Sequence, residues 1–149
     1  MPEVDSSKLV NWKNLKEFER GLFSAGKPAE EDIAAAAEAG VKCLVCVSDR
    51  SEFDYDVQAA AENRGLRFEY LPVNGPQDVT DENARRLDAL LSEEANQPMI
   101  IHCGSGNRVG ALYALRESCC QGADMAAALA AGRRAGLAGL EGFVAMQLA

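Results

Sequence analysis

The stretch Pro98–Cys120, PMIIHCGSGNRVGALYALRESCC, reads as an apolar strand, a six-residue turn with two glycines, and a helix that follows at once. A strand that feeds a helix through so short a turn is one half of a βαβ unit. The flanking sequence repeats the alternation. VKCLVCV (Val41–Val47) is almost uninterrupted apolar and rich in valine, as expected of a parallel strand covered on both faces. LRFEYLPV (Leu66–Val73) reads as another strand, and LFSAG (Leu22–Gly26) as a strand leading into a turn. Between them lie helical stretches. PAEEDIAAAAEA places Pro28 at a first helical position and Gly40 just past the end, and DYDVQAAAENR stops at Gly65.

Asn74–Asp81 is a loop, after which Thr80 or Asp81 caps a helix running to about Glu94. Its apolar positions Ala84, Leu87, Leu90 and Leu91 form one stripe. Two alanine-rich helices, Met125–Arg134 and Gly139–Leu148, close the chain, and a short helix is expected over Asn14–Glu19. The expectation is one α/β domain over residues 1–149, three-layered, with a short, mostly parallel sheet of about four strands flanked by helices.

Composition narrows the function. The 149 residues are 48% hydrophobic and 26% charged, enough for one filled core. With 15 Lys+Arg against 23 Asp+Glu the formal net charge is -8, which disfavours nucleic acid or an anionic membrane surface as partner, so any anion site is local. A single histidine, His102, argues against a metal site of the usual histidine-rich kind. The amino-terminal stretch has early acidic residues and no apolar run of a leader, and no segment approaches a membrane span. Five cysteines, an odd number, suit a reducing cytoplasm better than a disulfide framework.

The loop Cys103–Arg108 carries the chemistry. Gly104 and Gly106 permit torsions that let successive amide N–H groups, with those of Ser105 and Asn107, point into one concavity. The helix that follows adds the positive end of its dipole, and Arg108 supplies a planar two-donor fork for a tetrahedral oxyanion. Cys103 stands at the carboxyl end of a strand, where open α/β sheets place their ligands, and a ring of donors favours the thiolate, a nucleophile. An isolated cysteine is usually a small buried hydrophobe, but that role explains neither the glycines nor the arginine. His102 points to the other side of the strand, so it is expected to support the loop by hydrogen bonds to backbone carbonyls rather than to shuttle protons.

The run IIHCGSGNRVGAL resembles the phosphate-binding loop of cysteine-dependent phosphatases of the dual-specificity-like kind. SAGKPAEEDIAAAAEAGVKCLVCVSDRSE, GLRFEYLPVNGPQDVT and AALAAGRRAGL are similar, in order and spacing, to the bacterial phosphatase-like domain found beside β-lactamase-hydrolase-like proteins. The resemblance covers roughly residues 20–140. It implies hydrolysis of a phosphate monoester, on a phosphorylated protein or a small phosphoester, in two steps. The Cys103 thiolate attacks phosphorus while Arg108 and the loop amides hold the oxygens. It also implies an Asp from a neighbouring loop as general acid. Within NGPQDVTDE, Asp78 stands mid-loop and is the favoured candidate, whereas Asp81 doubles as a helix cap. Neither metal nor organic cofactor is required.

Two departures from that family's pattern matter. Four residues separate Cys103 from Arg108 where five are common, and Val109 follows where Ser or Thr is usual. The tighter ring suits a smaller anion, and the missing hydroxyl predicts a slow second step unless Ser105 substitutes. A six-residue Cys-led loop also resembles that of rhodanese-like sulfurtransferases, in which Cys103 would carry a persulfide without any general acid. A weakly catalytic phosphate-binding module is a third reading.

Other features have plainer roles. Cys43 and Cys46 face opposite sides of a strand and are core residues. Cys119 and Cys120 are bystanders unless one lies near Cys103 as a resolving thiol. Arg50 and Glu52 match a charged pair common in the similar family, with a loop salt bridge the favoured role. Arg133 and Arg134 read as a solvated face, and Trp12 and Tyr113 as packing residues.

Overall fold

A computed structural model describes residues 4–149; Met1–Glu3, part of the stretch read for a leader and of the expected 1–149 domain, lie outside the described residues. Five short strands form the sheet: β1 (Lys16–Glu19), β2 (Leu22–Ala25), β3 (Cys43–Cys46), β4 (Arg67–Tyr70) and β5 (Met99–His102). Their spatial order is β1-β2-β5-β3-β4, with β1 antiparallel to β2 and the other neighbours parallel. The helices are α1 (Glu30–Ala39), α2 (Val57–Glu62), α3 (Asp81–Leu91), α4 (Asn107–Gln121), α5 (Met125–Arg134) and α6 (Glu141–Leu148). Among the described residues no helix is long and apolar enough to cross a membrane.

Alternation along the inner strands builds the three layers. In β3 and β5, Cys43, Val45, Met99 and Ile101 face a core shared with α3, α4, α5 and α6. Leu44, Cys46 and Ile100 face a second core, made with α1, α2 and the amino-terminal turn that carries Leu9 and Trp12. Both faces of the central strands are therefore covered, which is why they read as continuous apolar runs. Cys43 and Cys46 fall in different cores, as the two-residue period requires, and burial pushes both thiols up to about 12.

The sheet has five strands rather than about four because Lys16–Glu19 is an edge strand, not part of a helix. Only Phe18 of its four residues is buried, so the segment is too short and too charged to display a period of two. Gly21, at φ 80°, makes the tight return to β2. Pro28 also stands outside α1, which starts at Glu30, with the Ala29 amide donating to the Asp32 carboxylate. Gly40 ends that helix in the left-handed conformation. In α3 the expected stripe is inward: Ala84, Leu87 and Leu91 are buried, and Thr80, not Asp81, caps the helix through the Asn83 amide.

Helices α4 and α5 cross at glycines. A side chain on Gly110 would strike the backbone of Leu137, and one on Gly132 would meet Ala114 and the Gly110 carbonyl. This close crossing brings the turn after α5 against the loop that precedes α4, with Gly136 at φ 108° lying on Gly106.

Candidate active site

Cys103 leaves the carboxyl end of β5, its amide donating to the Ala25 carbonyl of β2 at 3.1 Å, and it is 1% exposed. The chain then turns through Gly104–Gly106 into α4. Gly106 adopts φ 97°, a conformation that L side chains resist, and its amide donates to Cys103 Sγ at 3.0 Å. Gly104 serves by size rather than torsion: a Cβ there would come within 3.1 Å of Arg108 Nη2. Among the described residues nothing accepts from the amides of Gly104, Ser105, Asn107, Arg108 or Val109. A thiol beneath free donors at the start of a 15-residue helix is an arrangement for an anion.

Scaffolding holds the loop from outside. Lys27 N–H donates to the Gly104 carbonyl at 3.2 Å, and Asn14 Nδ2 to the Ser105 carbonyl at 3.0 Å. Trp12 packs, as expected, but its Nε1–H also donates to the Gly26 carbonyl at 2.8 Å. Gly26 in turn abuts the Gly104 carbonyl, which a Cβ would approach to 3.0 Å. With two carbonyls engaged outward, the amides of the same peptides are left to the concave side.

Arg108 is oriented by partners that the sequence reading did not pair with it. Nη1 and Nη2 donate to the two carboxylate oxygens of Glu52 at 2.9 and 2.8 Å, and Nη1 also donates to the Val73 carbonyl at 2.8 Å. The Glu52 hydrogen bond holds the guanidinium above its ordinary value, against burial, with Cys103 contributing further. Arg108 in turn holds the Glu52 carboxyl below the usual range. The expected Arg50–Glu52 loop pair does not form. Arg50 bonds Gln58 and stacks 4.4 Å from the Tyr70 ring centroid. The one signal was the position of Asp49–Glu52 at the carboxyl edge of β3, beside β5.

His102 is on the far side of β5, as the strand period requires, between Trp12 and Phe53 at ring-centroid distances of 5.9 and 6.3 Å. The expected hydrogen bonds from its ring to backbone carbonyls are absent: among the described residues neither nitrogen has a partner. Complete burial lowers its pKa to about 3, so the ring is neutral. The side chain of Asn107 is engaged by the turn ahead of α6. Its Oδ1 accepts from the Ala138 and Leu140 amides at 2.8 and 3.2 Å, so only its backbone amide remains for the concavity.

Asp78 ends a short 3-10 turn, Pro76–Asp78, in the loop after β4. That loop begins at Val73, the residue that binds Arg108. The carboxylate is half-buried and not free as expected, because Oδ2 accepts the Asn74 amide at 3.0 Å. Asp81 is exposed in the first turn of α3. Cys119 and Cys120 lie some 12 residues along α4 from its start, about 18 Å at ~1.5 Å per residue, too far to resolve a Cys103 disulfide.

Comparison with known proteins agrees with this geometry. Residues 19–128 match the family model described as PTP-SAK, Swiss Army Knife protein, DSP-PTPase phosphatase domain. An inositol diphosphatase of Oryza sativa subsp. japonica is 24% identical over 128 residues, 79% of this chain. The chain spans 62% of that relative's length. A DUF442 phosphatase structure from Shewanella putrefaciens superposes with a TM-score of 0.73 at 19% identity, covering 97% of this chain and 96% of the other. The catalytic core of the PP-IP phosphatase SIW14 from S. cerevisiae superposes with a TM-score of 0.68 at 16% identity, covering 92% and 86%.

Proposed function

Because this chain belongs to the family of DSP-PTPase phosphatase domains of the Swiss Army Knife type, we propose that it hydrolyses phosphate monoesters through a cysteinyl-phosphate at Cys103. The observation that carries this reading is the Gly106 amide on Cys103 Sγ at 3.0 Å, inside a ring of unengaged amides closed by Arg108. An N–H donated to sulfur stabilises a thiolate over a thiol.

In the first step the Cys103 sulfur attacks phosphorus in line, the S–P bond forming as the ester P–O bond breaks. Arg108 and the amides of Gly104, Ser105, Asn107 and Val109 receive the non-bridging oxygens, whose charge they stabilise without reorganising. Asp78 delivers its proton to the departing oxygen. In the second step Asp78 takes a proton from water, water oxygen attacks phosphorus, and the S–P bond breaks to return the thiolate. Val109 leaves that step without the usual neighbouring hydroxyl, so turnover is limited there unless Ser105 supplies one.

The substrate is a small phosphoester, or a phosphopeptide with basic neighbours. The relatives named as an inositol diphosphatase and a PP-IP phosphatase support small phosphorylated molecules. The net charge of -8 weighs against highly charged polyanions at low ionic strength. Parallel incubation with an aryl phosphate, and with thiosulfate plus cyanide, tests the reaction class. Phosphate release without thiocyanate is expected; thiocyanate without phosphate release overturns it.

A further inference from the structure

Helix α6 touches both halves of the candidate site. The turn ahead of it gives two amides to Asn107, the neighbour of Arg108, and near its end Gln147 Nε2 donates to the Val79 carbonyl at 2.8 Å. Val79 directly follows Asp78. Between these two points α6 is seated on the core that also contains Cys103 and Val79, through Val144, Phe143 and Leu148.

The contacts that shape the Asp78 loop come from within it. Asn74 N–H reaches the Asp78 carboxylate, Asn83 Nδ2 reaches its carbonyl at 2.7 Å, and its own amide donates to Gly75 at 3.0 Å. All of these lie within residues 74–83, so they set the conformation of the loop but not its height above Cys103. Three polar contacts from outside do that among the described residues, the first being the Val73 amide on the Val47 carbonyl at 2.9 Å. Arg108 grips the loop's start at Val73, and Gln147 grips it at Val79.

We propose that Gln147 is a positioning residue, and that α6 acts as a strap holding the Asp78 loop at proton-transfer distance from the leaving oxygen over Cys103–Arg108. The proposal rests on the reading of Asp78 as general acid. Proton transfer needs an approach of about 2.6–3.2 Å, and a misplacement of ~1 Å can cost ~100-fold. The chemical consequence is selective. In the first step an alkyl leaving group needs the proton, whereas a p-nitrophenolate departs without it, so loosening the strap penalises that step for alkyl esters and spares it for activated aryl esters.

The test measures kcat/KM, which reports the first step whatever limits turnover, for the full chain on phosphate esters from p-nitrophenyl to alkyl, with the wild type, Gln147→Met, Gln147→Lys and Asp78→Asn. Met keeps the length of Gln and removes the donor; Lys restores a donor. Gln147→Met is expected to lower kcat/KM on alkyl esters by about 3–10-fold, part of the ~100-fold that misplacement can cost, with the p-nitrophenyl kcat/KM nearly unchanged. Gln147→Lys is expected to recover the loss, and thermal midpoints to match the wild type. A drop in kcat/KM uniform across the series, or none, overturns the strap. A steeper leaving-group dependence in Asp78→Asn but not in Gln147→Met removes the strap alone. No change of slope in either removes the Asp78 reading beneath it.

Discussion

Arg108 and Glu52, 56 positions apart in the chain, meet side by side through two hydrogen bonds of 2.9 and 2.8 Å. The fork geometry leaves one orientation for the guanidinium, with its remaining donors directed along the Val73 carbonyl and toward the Cys103 loop. Replacing Glu52 by Gln removes one charge and one acceptor of the pair. Vanadate or phosphate affinity is expected to weaken by about tenfold, equivalent to ~1.4 kcal/mol. Arg108→Lys is expected to bind these anions no better than Arg108→Ala, because a point charge cannot hold both Glu52 and a tetrahedral oxyanion. Titration of either variant with vanadate checks the expectation.

The same pair predicts a pH dependence. Arg108 depresses the Glu52 carboxyl below 4.5, so the folded state binds this proton less readily than the unfolded chain. Its contribution to stability is complete above pH 4.5 and is lost as pH falls through the depressed folded value. Thermal unfolding of wild type and Glu52→Gln should therefore differ at neutral pH and converge in acid; a difference that persists at the lowest pH would show that the pair is not the source.

Cys103→Ser is expected to abolish release of phosphate from an aryl ester, because the hydroxyl lacks the thiolate's nucleophilicity. Rapid quench of the wild type with a good leaving group should trap phosphate on Cys103. Robust hydrolysis by the serine variant would sink the mechanism.

His102 is neutral and, among the described residues, without a hydrogen-bond partner, its pKa lowered by burial to about 3 from 6.5. The unfolded chain binds this proton below 6.5 while the folded one does not, so this residue's share of stability is full above pH 6.5. It falls by up to about 1.4 kcal/mol per pH unit between 6.5 and 3. His102→Phe fills the place between Trp12 and Phe53 without burying two polar nitrogens. It should remove one proton's worth of slope from the unfolding curve in that range. If the slope is unchanged, the ring is not buried neutral.

Gly136 lies at φ 108°, with its would-be Cβ 2.6 Å from the Gly106 carbonyl. Gly136→Ala combines left-handed strain with a backbone collision and is expected to cost about 2 kcal/mol or more. Because the collision is with the loop itself, anion affinity should fall along with stability. A stable variant with normal vanadate binding contradicts this.

Much of this was legible along the chain. Val41–Val47 and Met99–His102 are covered on both faces, so their apolar runs announced parallel strands, and HCGSGNR between strand and helix announced an anion-binding turn. Local rules suffice there, because torsions and helix dipoles are set by neighbours in sequence. Lys16–Glu19 was not legible, since a four-residue edge strand with one buried side chain carries no period. Nor were the partners of the functional groups. That Glu52 holds Arg108, that Asn107 faces the Ala138 turn, and that Gln147 holds Val79 are contacts across 56, 31 and 68 positions. Sequence alone determined which residues bring donors, charge and a nucleophile to one loop. Only the tertiary structure decided which distant side chains orient them: the sheet order β1-β2-β5-β3-β4 sets β3 and its following turn beside β5, helix packing sets the Ala138 turn and Gln147 against their partners, and nothing local encodes either.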